Sequence, residues 1–475
     1  MKRLFLAPDR ALPADPGTRA LAREILDHTE GLPLVCLHGH VDAQVLAGDQ
    51  PFPDPAGLLV TPDHYLTRMI CSAGVPLGAF GIDSLDGTPT ETDPRQVWRT
   101  FCAHWHLFRG TPTRFWLEHE LALVFGVGES PSADSADRLY DEISAKLAEP
   151  GFRPRALFER FQIEVLATTD SPLSDLAAHA RLASEGWGEK VIPTFRPDSL
   201  LHAGHPGWAA EVEQLGKLTS IDTGDYAGYL AALRQRRQDF IAAGALATDH
   251  GHQATDTTPL PEPEAARIYA AARAGEVSAG QAAAFAAHML HQMARMSCED
   301  GLVMQLHPGV LRNHHSGVHR RYGPDRGYDI PVPADFTRGL RPLLESFGDS
   351  SALRLVVFTV DEDTYTRELA PLAGVYPALL LGAPWWFLDS PDGMRRFREA
   401  VTETAGFYNT TGFVDDTRAF ASIPARHDLA RRIDAGYLAR LVAEHRLDLD
   451  EAVETAVDLA YHIPKRAYAR REPAA

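Results

Sequence analysis

His38 and His40 stand one glycine apart, directly after the apolar run 34–37. In an extended chain, residues i and i+2 point to the same side, so the two imidazoles aim together. Neutral imidazoles that share a direction can hold a metal ion. Two histidines packed in a loop would have the same spacing, and the tripeptide alone leaves both readings open. Other apolar runs end in a similar way. The stretches at their ends read "ATTDSPLSD", "VIPTFRPDS", "LATDHGH", "MQLHPGVLRNHH", "FTVDED", "LLLGAPWWFLD" and "GFVDDTRAF". Histidine, arginine and aspartate thus recur where one shared mouth would gather them. Asp170, Asp361 and Asp415 read individually as cap and turn residues.

The elements that could position these groups are short apolar runs at 34–37, 163–168, 191–195, 244–248, 302–306, 353–360, 378–381 and 412–414. Each is bounded by polar, Gly or Pro residues, as expected for strands buried on both faces. Helical patterns separate most of them. Eight alternating β/α units predict an α/β fold, a (β/α)8 TIM-type barrel whose active face lies at the strands' carboxyl ends. More than a hundred residues separate the first two runs, and their amphipathic patterns predict a helical insertion over 50–155. The barrel would then comprise 1–49 and 156–475, ending in C-terminal helices packed outside it. A chain of 475 residues suits a barrel with an insertion.

Cys36, Cys71, Cys102 and Cys298 form no C-x-x-C pair, which argues against a disulfide framework and a thiolate metal site. The net charge of −18 argues against a nucleic-acid partner but leaves room for an anionic small molecule at a local arginine cluster. No apolar run reaches membrane-spanning length, and the N-terminal apolar stretch is too short for a secretory signal. A cytoplasmic enzyme without a membrane partner is expected. Only five of the 46 basic residues are lysines: Lys2, Lys146, Lys190, Lys217 and Lys465. None follows a strand, so a Schiff-base lysine is missing.

Several stretches together resemble the uronate isomerase (glucuronate isomerase) family of the amidohydrolase superfamily. They are "LHGHVD", "DHYLTR", "TTDSPLSDLAAH", "PTFRPD", "MQLHPGVLRNHH", "GAPWWFLDSPDG", and "DDTRAF" followed by "PARHDLARR". They occur in family order from about residue 34 to 468. The resemblance implies the barrel with its insertion. It also implies one divalent metal ion, zinc by the family pattern, held by His38, His40 and Asp416. The implied catalytic residues are Asp416, Tyr65, His307 and Arg418. Arg196 and Arg312 would bind substrate with Trp385, or with Trp386 in its place. Gly39 departs from the family, which often has cysteine there. A homo-oligomer acting on a small uronic acid is expected.

The implied reaction interconverts D-glucuronate with D-fructuronate, and D-galacturonate with D-tagaturonate. It needs a base that reaches both C2 and C1, a group that polarises the carbonyl, and a seat for the carboxylate. Arginine suits the last task because it is planar, bidentate and always charged. Two other readings share the same residues. One is a mononuclear metal-dependent hydrolase or decarboxylase on the same barrel. The other is a sugar-acid binder without catalysis, which would have no need of the metal set.

Overall fold

The computed structural model describes residues 3–472. Seven parallel strands form two sheets: β1 (Leu34–Cys36), β2 (Ile163–Ala167) and β3 (Val191–Ile192), then β4 (Ala247–His250), β5 (Val303–Leu306), β6 (Leu355–Val357) and β7 (Leu379–Leu381). β1 pairs with β2 and β2 with β3, while β4 to β7 pair in chain order. The two sheets join where Phe195 bridges Thr248. On the other side Leu381 bridges Thr410. The segment 410–417 then returns to β1: Asp416 N donates to His38 O at 3.2 Å and His40 N to Thr417 O at 3.0 Å. Backbone hydrogen bonds therefore run around a closed ring of eight extended segments. The eighth, expected at 412–414, makes these bonds without forming a regular strand.

The pleat sorts side chains between two cores. Val35, Leu37, Ala247, Val303, Val356 and Leu380 fill the barrel interior. Met304, Leu306, Leu355, Val357, Leu379 and Leu381 face the surrounding helices. Proline shortens β3: Pro193 has no N–H to donate, and the regular ladder stops at Ile192 and resumes as two isolated bridges from Phe195, to Asp170 and to Thr248. β4 starts and ends later than the expected 244–248 and takes in Asp249 and His250.

Between β1 and β2 the chain is helical, including His64–Cys71, Pro94–Ala103 and Ala136–Leu147. Its apolar cluster includes Leu34, Cys36 and Leu166 of the first two strands. Asp63 caps the helix His64–Cys71 by accepting from Tyr65 N, which fixes Tyr65 in the first turn. Near the C-terminus the helix Ile423–Ala443 packs against Pro16–Asp27. The C-terminal segment does not stay wholly outside the barrel as expected. Tyr468 is fully buried in the interior cluster and donates to Gln305 Oε1 at 2.7 Å. No helix among the described residues is long and apolar enough to cross a membrane.

Candidate active site

A cavity of about 320 Å³ opens at the carboxyl ends of the strands. All ten residues singled out from the sequence line it: His38, His40, Tyr65, Arg196, His307, Arg312, Trp385, Trp386, Asp416 and Arg418. They come from strand ends spread along the chain between residues 38 and 418 and, for Tyr65, from the helical segment between β1 and β2, and barrel closure brings them together.

His38, His40 and Asp416 face one another across the closing seam. Asp416 Oδ1 lies 3.0 Å from His40 Nε2 and 3.5 Å from His38 Nε2. That oxygen is buried and has no hydrogen-bond partner. Burial alone would raise the Asp416 pKa, but the two imidazoles hold it well below the usual carboxylate range. The backbone of Asp416 is left-handed, with φ of 38°. Aspartate is one of the few residue types that adopts this region. Two imidazole nitrogens and one carboxylate oxygen, each within 4.8 Å of the others, fit a divalent metal. A Cβ on Gly39 would meet Ala167 O, an Asp415 carboxylate oxygen and Thr417 O at 3.6 Å, an ordinary contact distance. Glycine is therefore not sterically required between the histidines.

His307 leaves the end of β5 and stacks on His38, with ring centroids 4.5 Å apart. Its Nδ1 lies 2.6 Å from Asp249 Oδ1 on β4. Its Nε2 is buried and unpartnered. Burial depresses the imidazole pKa, with the Asp249 carboxylate opposing, and the net shift is downward. With Nδ1–H donated to Asp249, Nε2 is left as an acceptor. Asp249 itself stays well below the usual carboxylate range because Arg196 and His307 outweigh its burial.

Each candidate arginine is held by a carboxylate. Arg196 contacts Asp198 Oδ2 through Nε at 2.9 Å and Asp249 Oδ2 through Nη1 at 3.0 Å. Arg312 meets Asp329 at 2.8 Å, and Arg418 meets Asp325 at 2.7 Å. The salt-bridge role and the cavity-lining role thus coexist. Arg196 Nη2 and Arg312 Nη2 converge above Gly251, where a Cβ would lie 2.6 and 3.3 Å from them. Tyr65 donates to Asp389 at 3.0 Å, and Arg426 grips the same carboxylate at 2.8 Å. Burial, reinforced by Asp389, raises the Tyr65 pKa far above its ordinary value, so it remains a phenol. His307 meets the Trp385 ring edge-on at 4.7 Å, and the Arg312 guanidinium lies 6.0 Å from the Trp386 ring.

Sequence reasoning missed Asp249, Asp389 and Arg426. Asp249 lies in "LATDHGH", but a charged residue inside a buried strand has the appearance of a loop start. Arg426 lies in "PARHDLARR", where helical periodicity alone does not mark a residue that turns inward.

Residues 18–468 match the family model for glucuronate isomerase. A curated uronate isomerase of Rhizorhabdus wittichii is 56% identical over 98% of this chain and 98% of its own length. One from Rhizobium meliloti is 53% identical over 98% and 99%. The crystal structure of glucuronate isomerase from Caulobacter crescentus superposes with a TM-score of 0.96 at 50% identity, covering 98% of this chain and 97% of that one. With the fold, the cavity and these full-length similarities together, the chain belongs to the glucuronate isomerase (uronate isomerase) family.

Proposed function

We infer that the protein is an aldose–ketose isomerase of hexuronates, interconverting D-glucuronate with D-fructuronate and D-galacturonate with D-tagaturonate. Family membership over nearly the whole chain sets the reaction class. The observation that carries the mechanism is the free Nε2 of His307, buried in the cavity and stacked against the His38–His40–Asp416 set. His307, oriented by Asp249, takes the C2 proton while O1 gains one, giving the enediol. It returns its proton to C1 while O2 loses one, giving the ketose. Tyr65, held by Asp389, carries the oxygen-borne proton, and Arg418 offsets charge developing on the enediol oxygens. Arg196 and Arg312 present converging N–H edges to the substrate carboxylate, beside the flat faces of Trp385 and Trp386. His38, His40 and Asp416 would hold a divalent ion, zinc by the family pattern, which when bound supplies Lewis-acid polarisation of a substrate oxygen.

A hydrolase or decarboxylase on the same barrel is the weaker reading, since the full-length relatives are uronate isomerases. The test is proton NMR in D2O with both uronates. Wild type should form ketose and incorporate solvent deuterium. His307→Asn should lose roughly 10²–10⁴-fold in kcat, the usual range for a positioned acid–base group. Absence of ketose from both uronates, together with turnover of an amide, lactone or aromatic acid, would overturn the isomerase reading. Undiminished exchange in His307→Asn would remove His307 as the proton carrier.

A further inference from the structure

The tripeptide His-Gly-His occurs twice in this chain. The second copy, His250–Gly251–His252, leaves the end of β4. Its setting differs from that of the first. Asp249 points into the barrel toward His307. The alternation of the strand therefore sends His250 outward, on the side of Thr248, whose hydroxyl lies 3.1 Å from His250 Nε2. His252 lies next to Asp198, at the start of the short helix Asp198–Leu201.

We propose that Asp198, His250 and His252 form a second centre for a divalent transition-metal ion, behind Arg196 and separate from the His38–His40–Asp416 set.

Four observations point to it. One donor atom from each residue lies within 4.8 Å of the other two. His250 is 0% exposed and His252 is 5% exposed, yet His250 Nδ1 and His252 Nε2 have no hydrogen-bond partner. Buried polar atoms rarely go unpaired without a reason. His252 Nε2 lies 3.9 Å from Asp198 Oδ1, too far for a hydrogen bond. Two ligands about 2.1 Å from a shared tetrahedral ion would sit roughly 3.4 Å apart, so this pair is within about half an ångström of ligating separation. Finally, the local charge is unbalanced. Asp198 and Asp249 flank the single guanidinium of Arg196, which leaves a buried net negative charge that a cation would offset.

The ligand set suits the ion class. Burial holds the His250 pKa down to about 4 and the His252 pKa to about 3, so both are neutral donors at pH 7. Two imidazoles and one carboxylate select zinc-like or cobalt-like ions over calcium or magnesium. The His202 ring, 4.5 Å from the His252 ring, flanks the site. An ion there would fix the Asp198 carboxylate, which accepts from Gly251 N at 3.0 Å and from Arg196 Nε at 2.9 Å. It would thus brace a cavity arginine from behind.

The test uses the full-length protein and Co2+ as the probe. The double variant His38→Ala/His40→Ala removes the first set. After loading and desalting it should keep one equivalent of Co2+ by elemental analysis, with the visible bands of a low-symmetry site. In that background His252→Gln should lose the ion, and so should the isosteric Asp198→Asn, with circular dichroism confirming the fold. A folded double variant that retains no Co2+ would overturn the proposal. So would retention of a full equivalent by both added substitutions. If His252→Gln fails to fold, Asp198→Asn decides the matter alone. If both fail, the parent double variant decides it by whether Co2+ raises its melting temperature relative to EDTA.

Discussion

At the scale of single residues, the site works by commitment: most of its charges are spoken for before a substrate arrives. Asp249 is bound to both His307 and Arg196. Replacing it with asparagine removes the acceptor that fixes the His307 tautomer and the charge that anchors Arg196. Asp249→Asn should therefore lower kcat by roughly 10²-fold or more, by analogy with acid–base groups that lose their orienting partner. Steady-state kinetics would check this, and an unchanged kcat would separate Asp249 from proton transfer. Asp416 joins a left-handed backbone to a carboxylate that faces both histidines. In an Asp198→Asn background, which removes the second centre proposed above, Asp416→Asn should reduce bound divalent metal at least tenfold by elemental analysis, since ligand loss commonly costs more than the 10–100-fold seen for outer partners.

At the scale of elements, two glycines at equivalent places make opposite predictions. Gly39 has ordinary space for a methyl group, whereas Gly251 lies beneath two guanidinium groups. The Arg196 guanidinium cannot simply swing away, because two carboxylates hold it. Gly39→Ala should leave kcat/KM within about threefold of wild type, while Gly251→Ala should cost roughly 10²-fold through misplacement of Arg196. Equal effects of the two substitutions would refute this contrast. The same elements show what the sequence made legible. The runs at 34–37 and 378–381 are continuous and apolar, 302–306 is broken only by Gln305, and all three become strands within a residue or two. β4 slipped because Asp249 is a buried charge whose partners are far away in the chain. The run at 191–195 was cut by Pro193, and the eighth segment forms bonds too sparse for a ladder. His38 and His40 were legible from their spacing after a strand and the other eight cavity residues from motif resemblance, whereas Asp249, Asp389 and Arg426 could be identified only once side-chain partners were known.

At the scale of the whole molecule, the turn of chain that ends at Tyr468 reaches the core made by the fifth strand. The Tyr468 hydroxyl serves Gln305, which is itself completely buried. Tyr468→Phe should cost about 1 kcal/mol, the usual net worth of such a bond, and Tyr468→Ala about 3–5 kcal/mol through the cavity it leaves. Urea denaturation followed by fluorescence would measure both, and equal midpoints for wild type and Tyr468→Ala would overturn this. The barrel seam also sets an order in time. His38 and His40 emerge from the ribosome early, but Asp416, which faces them across the segment that closes the ring, is made roughly tens of seconds later at ordinary synthesis rates. A nascent chain thus carries two histidines without their carboxylate for most of its synthesis. It can complete its metal set only as the final stave docks, so an arrested or truncated product would lack the active centre however well its earlier helices had folded.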